Sequence, residues 1–150
     1  MRSSILDLVD AASRMLPLGG LPIYEFGSRQ VEGGGGEAAD LRRFFFGHPY
    51  VGVDLEPGPG VDVLYSSACG KFGVAGSVLC MEVLEHAPDP DELVNAIALA
   101  LGHRSWALFS TPFNFAIHSK PDYRRYTPQG MEQLLRRYFP HVHVFSSLPE

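Results

Sequence analysis

Two acids about thirty residues apart, each near the end of a run of strand-forming residues, are the first positions in this sequence with chemistry to offer. Glu25 nearly closes the run LPIYEF and is followed by Gly27, where a missing side chain lets backbone approach a ligand closely. Asp54 closes the run YVGVD, and a carboxylate there can accept hydrogen bonds from both vicinal hydroxyls of a ribose. The turn after Glu25 discriminates among ligands. A dinucleotide pyrophosphate asks for G-x-G-x-x-G, and the sequence Gly27-Ser28-Arg29-Gln30-Val31-Glu32 lacks the second and third glycines. Glu25 and Glu32 favour a cationic ligand instead, such as a sulfonium or ammonium compound.

Two histidines stand in the loops that would face the same cleft. His86 reads in two ways, as a general base or as a ring bonding backbone in the turn Glu85-His86-Ala87-Pro88. His118 shares its loop with Asp122, Tyr123 and Arg125. That loop either recognises substrate or ties itself to the next helix through Arg and Tyr hydrogen bonds. His86 and His118 are the candidate catalytic residues, because a hydroxyl nucleophile needs a base that works near neutral pH. No metal is expected: Cys69 and Cys80, taken with the six histidines, match no zinc spacing. Gly33, Gly34, Gly35 and Gly36 lack a following Lys-Ser or Lys-Thr, so they read as a loop without a phosphate. Phe44, Phe45 and Phe46 read as packing residues.

The elements that must position these residues alternate. Ile5, Leu6, Val9, Ala12 and Leu16 recur at helical spacing after Ser3 and Ser4, and residues 37–46 have helical composition. The runs LPIYEF, YVGVD, VDVLY, SVLCMEVL, RSWALFS and HVHVFSS read as six strands. Asp89-Pro90-Asp91-Glu92 and Thr127-Pro128 are cap-plus-proline helix starts, the first helix running to about Leu101. Strands alternating with helices, with nearly continuous apolar runs, predict a doubly wound α/β fold. Its sheet is expected to be mostly parallel with about six strands, in one domain over residues 1–150.

Five stretches together resemble the class I S-adenosylmethionine-dependent methyltransferases, specifically the small type 11 domains. They are EFGSRQVEG at 25–33, ADLRRFF at 39–45, YVGVDLEPGPGVDVL at 50–64, VLCMEVLEHAPDP at 78–90 and STPFNFAIHSKPDYRRYTPQGMEQLL at 110–135. The resemblance implies a Rossmann-like methyltransferase fold with S-adenosylmethionine as cofactor. It places Glu25, Gly27 and Ser28 beside the methionine part, Asp54 on the ribose and Leu55 against adenine. It sets Met81 and Glu82 where the fourth strand passes the cofactor, followed by His86. Three features depart from the family pattern. Ser28-Arg29-Gln30 replaces the glycine-rich remainder of the first motif, and Arg29 would either crowd the cofactor or contact its carboxylate. Ser66 and Ser67 stand where many relatives carry the acid that meets the adenine amino group, so Ser67 is the expected contact. Relatives also add a seventh strand beyond the sixth.

Twelve Lys and Arg against seventeen Asp and Glu leave a formal charge of −5, which speaks against binding nucleic acid by phosphate neutralisation. No apolar run approaches the ~20 residues of a membrane span, and Asp7 and Asp10 interrupt the stretch a signal peptide would need. The expected location is cytoplasmic. The expected function is methyl transfer to a small-molecule nucleophile, the alternative being a non-catalytic binding or scaffold protein of the same fold. An open sheet edge along residues 105–110 and 141–146 is expected to recruit a second copy as a homodimer.

Overall fold

The computed structural model describes residues 3–31, 40–66 and 73–146. Helix α1 (Ser3–Met15) turns Ile5, Val9 and Ala12 inward and carries an exposed Asp10–Arg14 pair one turn apart. Strand β1 (Ile23–Phe26) is followed, after the glycine-rich stretch, by a short 3-10 helix at Leu41–Phe45, then β2 (Tyr50–Asp54) and β3 (Val63–Leu64). Strand β4 (Ala75–Met81), helix α2 (Pro90–Ala100), strand β5 (Leu101–Ser110) and helix α3 (Pro128–Leu135) complete the order. Both cap-plus-proline signals hold. Asp89 accepts the Glu92 N–H at 3.0 Å and Thr127 accepts that of Gly130 at 3.0 Å.

All five strands run parallel in the order β3-β2-β1-β4-β5. Side chains alternate between two buried faces. Tyr24, Phe26, Val78 and Cys80 meet α2 and α3 through Val94, Ile97, Met131 and Leu134, whereas Ile23, Leu79 and Met81 meet α1 and the 3-10 helix through Val9, Leu41 and Phe45. Two covered faces explain why β4 is buried at every position. The doubly wound α/β prediction is met, with an all-parallel sheet where a mostly parallel one was expected. No helix among the described residues is long and apolar enough to cross a membrane.

Three expectations are corrected. The helix over 37–46 is, in its described part, the 3-10 helix Leu41–Phe45, which Asp40 caps by accepting the Arg42 N–H at 3.0 Å. Residues 141–146 form no strand, so the described sheet has five strands and not six. A strand exists only through a ladder with a neighbour, and apolar alternation in HVHVFSS supplies none. Val142 packs instead on the α2/α3 side of the core. Finally, β5 begins at Leu101, directly where α2 ends. Its pairing with β4 slips between Ala75 and Ser77, close to Arg104 at φ +62°.

Candidate functional site

The strand order reverses between β1 and β4, and the carboxyl ends of β1, β2 and β4 meet there, the usual ligand crevice of such sheets. Glu25 is 7% exposed and faces the α1 side of the sheet with Ile23. Tyr50 donates its hydroxyl to Glu25 Oε2 at 2.7 Å. Burial pushes the Glu25 carboxyl up to about 7, and the Tyr50 hydrogen bond opposes that rise. Gly27 turns the chain at φ +78°, and a Cβ there would stand 2.3 Å from Val83 Cγ2. The N–H groups of Gly27 and Ser28 both donate to the Val53 carbonyl, at 2.8 and 3.2 Å. Ser28 is buried, its Oγ without a hydrogen-bond partner among the described residues.

Asp54 ends β2 with its carboxylate already oriented. Oδ2 accepts the Arg29 N–H at 3.0 Å and Oδ1 the Glu56 N–H at 3.2 Å, which leaves each oxygen a lone pair for a ribose hydroxyl. Leu55 is 65% exposed beside it. The Arg29 side chain neither crowds Glu25 nor stands free: it ion-pairs with Glu56 and lies along Gly58. Ser67 lies outside the described residues. Met81 is buried in the core with Ile5, Val9 and Leu79, so its side chain is a packing group and does not line an open cleft. Glu82 follows at φ +59° and donates its N–H to the Ser110 carbonyl at 2.9 Å, a left-handed residue at the mouth of β4 and β5.

Beyond β4 the chain brings together residues that the sequence separates. His86 Nδ1 stands 2.6 Å from the Pro121 carbonyl, which assigns the proton to Nδ1 and leaves Nε2 as base or ligand. The ring does bond backbone, but in the loop after β5 and not within its own turn Glu85-His86-Ala87-Pro88. Nε2 is 3.8 Å from Glu85 Oε1. Glu85 is fully buried with neither carboxylate oxygen hydrogen-bonded among the described residues, and burial pushes it up to about 7. The His118 ring lies edge-on to His86 with centroids 5.1 Å apart, its Nδ1 3.5 Å from Asp122 Oδ2.

The arginines of the D-Y-R-R-Y-T run bond their own loop and the turn before α2, not the start of the next helix, α3. Arg125 clamps Asp122 through both guanidinium nitrogens and also bonds the Phe115 and Ala116 carbonyls. Its hydrogen bonds hold the Asp122 carboxyl well below the usual range. Arg124 donates to the Ala87 and Pro88 carbonyls at 2.7 and 3.2 Å, tying this loop to the start of α2. One atom from each of Glu85, His86 and His118 falls within 4.8 Å of the others. A buried carboxylate with no hydrogen bond among the described residues, beside two imidazoles, can hold a divalent cation, which the sequence spacing did not suggest because the ligands come from two separate loops. Sequence reasoning missed Glu85 and Tyr50. An acid inside the apolar turn Val83-Leu84-Glu85 was a signal for the first, whereas only the sheet register reveals the second.

No family model matches the chain. Over 76 residues, 47% of this chain, it is 36% identical to the ubiquinone biosynthesis O-methyltransferase of Bordetella avium. That match spans 30% of the relative, so the chain matches about a third of that protein's length. In structure it resembles the cyclase SpnF, with TM-score 0.60 at 12% identity over 90% of this chain and 55% of that one. It also resembles the S-adenosylmethionine dependent methyltransferase of Mesorhizobium loti, with TM-score 0.51 at 19% identity over 89% and 82% of the two chains. The chain therefore carries the class I methyltransferase fold, and over about half its length its sequence likeness is to O-methyltransferases.

Proposed function

We propose that the chain binds S-adenosylmethionine across the ends of β1, β2 and β4 and transfers its methyl group to a hydroxyl of a small molecule. One observation carries this reading. A buried acid one residue short of the end of β1, Glu25, and a partly exposed acid at the end of the adjacent β2, Asp54, stand beside the point where strand order reverses. The donor set fits the ligand. Glu25 offers a carboxylate to its ammonium, Asp54 offers free lone pairs to its ribose, and Leu55 offers an exposed apolar face to adenine. The cofactor supplies a methyl group on a sulfonium, which needs no covalent intermediate with the protein. His86 Nε2, left without a proton by the Nδ1 bond to Pro121, would accept the proton of the acceptor's hydroxyl as that oxygen takes the methyl group the bound cofactor would supply. The Arg124 and Arg125 contacts hold the His118 loop in place for this.

SpnF shows that a cyclase carries this fold, so fold alone does not name the reaction. Calorimetric titration with S-adenosylhomocysteine tests the reading. Binding with a rise in melting temperature is expected, and no heat at millimolar ligand would leave a non-catalytic scaffold. Methyl transfer that survives a chelator assigns the base to His86 alone. Loss of transfer assigns it to a cation held by Glu85, His86 and His118. A cytoplasmic location and a homodimer belong to the same proposal. Among the described strands β5 has β4 as its single neighbour, which leaves one edge to pair with a second copy, and light scattering across a dilution series tests that.

A further inference from the structure

Glu25 lies between two strands whose directly opposed residues give its carboxyl nothing polar to bond. Opposite it on β2 is Gly52, whose missing side chain yields its space to the Gly60 carbonyl, and opposite it on β4 is Leu79. Helix α1 presents Ile5 and Val9 to this face. The charged groups that act on Glu25 are Asp40 and Arg42, from the capped 3-10 helix, and Asp54 at the end of β2. None of the three bonds it. Asp40 caps the Arg42 N–H, and Asp54 holds the N–H groups of Arg29 and Glu56. The Arg42 guanidinium bonds Asp62 and the Gly60 carbonyl, and stands 5.4 Å above the Tyr50 ring. Among the described residues the Tyr50 hydroxyl is therefore the one hydrogen bond that Glu25 receives.

The register makes this pair. Tyr50 sits opposite Ile23 and Glu25 opposite Gly52, so Tyr50 and Glu25 are diagonal neighbours on one face of the sheet. Burial and the neighbouring Glu25 push the Tyr50 phenol upward, so it stays a donor throughout the working pH range. A donor that cannot lose its proton stabilises the carboxylate over the carboxylic acid.

We propose that Tyr50 is a positioning residue for the ammonium end of the cofactor, holding Glu25 charged and aimed, and that cofactor binding is thereby linked to pH. The inference rests on the cofactor reading above. With Glu25 at about 7, the free protein at neutral pH is divided between the acid and the carboxylate. Only the carboxylate attracts an ammonium group, so binding draws out a proton. Affinity is full above the Glu25 titration and falls as pH drops through it, approaching tenfold per pH unit.

The test is calorimetric titration with S-adenosylhomocysteine from pH 6 to pH 9, on the unmodified protein and on Tyr50→Phe. Removing a hydrogen bond to a charged group is expected to move the affinity profile upward by about one pH unit or more. Near pH 7 the variant binds roughly tenfold more weakly, and the two converge toward pH 9. Proton release is read from buffers of different ionisation enthalpy. A merely structural role for Tyr50 would lower affinity equally at every pH, and that result, or an unchanged profile, overturns the proposal. A carboxyl NMR titration of Glu25 in the ligand-free protein keeps the two readings apart. If S-adenosylhomocysteine does not bind but Tyr50→Phe raises the Glu25 midpoint, the cofactor reading fails while the Tyr50–Glu25 coupling stands. An unmoved midpoint refutes the coupling itself.

Discussion

Gly27→Ala tests the turn on which the site is built. In the structure Gly27 has φ +78°, a region where an added Cβ costs about 1–2 kcal/mol from its own backbone. That Cβ would also stand 2.3 Å from Val83 Cγ2, well inside van der Waals contact. Overpacking of this kind costs about 1–3 kcal/mol, because Val83 is itself packed against the α2/α3 core and can yield only by moving the loop that leads to Glu85 and His86. The substitution is therefore expected to destabilise by about 2–5 kcal/mol, a large part of a domain's stability, and to lower the urea midpoint by about 1 M or more. Val83→Ala removes the obstructing methyl and separates the two costs. In that background Gly27→Ala should cost only the backbone share, about 1–2 kcal/mol, giving a coupling of at least about 1 kcal/mol between the sites. Equal costs of Gly27→Ala in both backgrounds would refute the contact. A cost below about 0.5 kcal/mol in the native background would refute the left-handed turn as well.

Stability should fall with rising pH. Glu25 has a folded value of about 7 against an ordinary 4.5, so its contribution is full below 4.5 and is lost as pH rises through 7, up to about 3 kcal/mol. Glu85 acts in the same direction, whereas Asp122, lowered by Arg125, loses its contribution only in acid below its ordinary 3.8. Urea midpoints should therefore be higher near pH 5 than at pH 8, and the reverse order would contradict the burial of Glu25. Asp54→Ala should weaken S-adenosylhomocysteine binding roughly ten- to two-hundred-fold by removing charge-assisted hydrogen bonds. Unchanged affinity would remove Asp54 from the ribose site.

What was legible in the sequence was local. Asp89-Pro90 and Thr127-Pro128 begin helices because a cap bonds an N–H three residues away, and the structure places α2 and α3 where those signals stand. The doubly wound sheet was legible because burial on both faces leaves unbroken apolar runs, as in β4. Glu25 and Gly27 at the end of β1 and Asp54 at the end of β2 were legible as strand-end residues, a placement that follows from the strands themselves. HVHVFSS misled for the same reason that these succeeded: alternation marks a segment able to pair, and only the sheet decides whether a neighbour is there. Tertiary structure alone decided which groups share protons and ligands. The Tyr50–Glu25 bond depends on a register between two strands, the buried Glu85 carboxylate finds no hydrogen bond among the described residues, and His118 meets His86 across two loops. Each of these turns on distances between residues far apart in the chain, which no local preference encodes, and in a low-dielectric interior the interactions those distances set are strong.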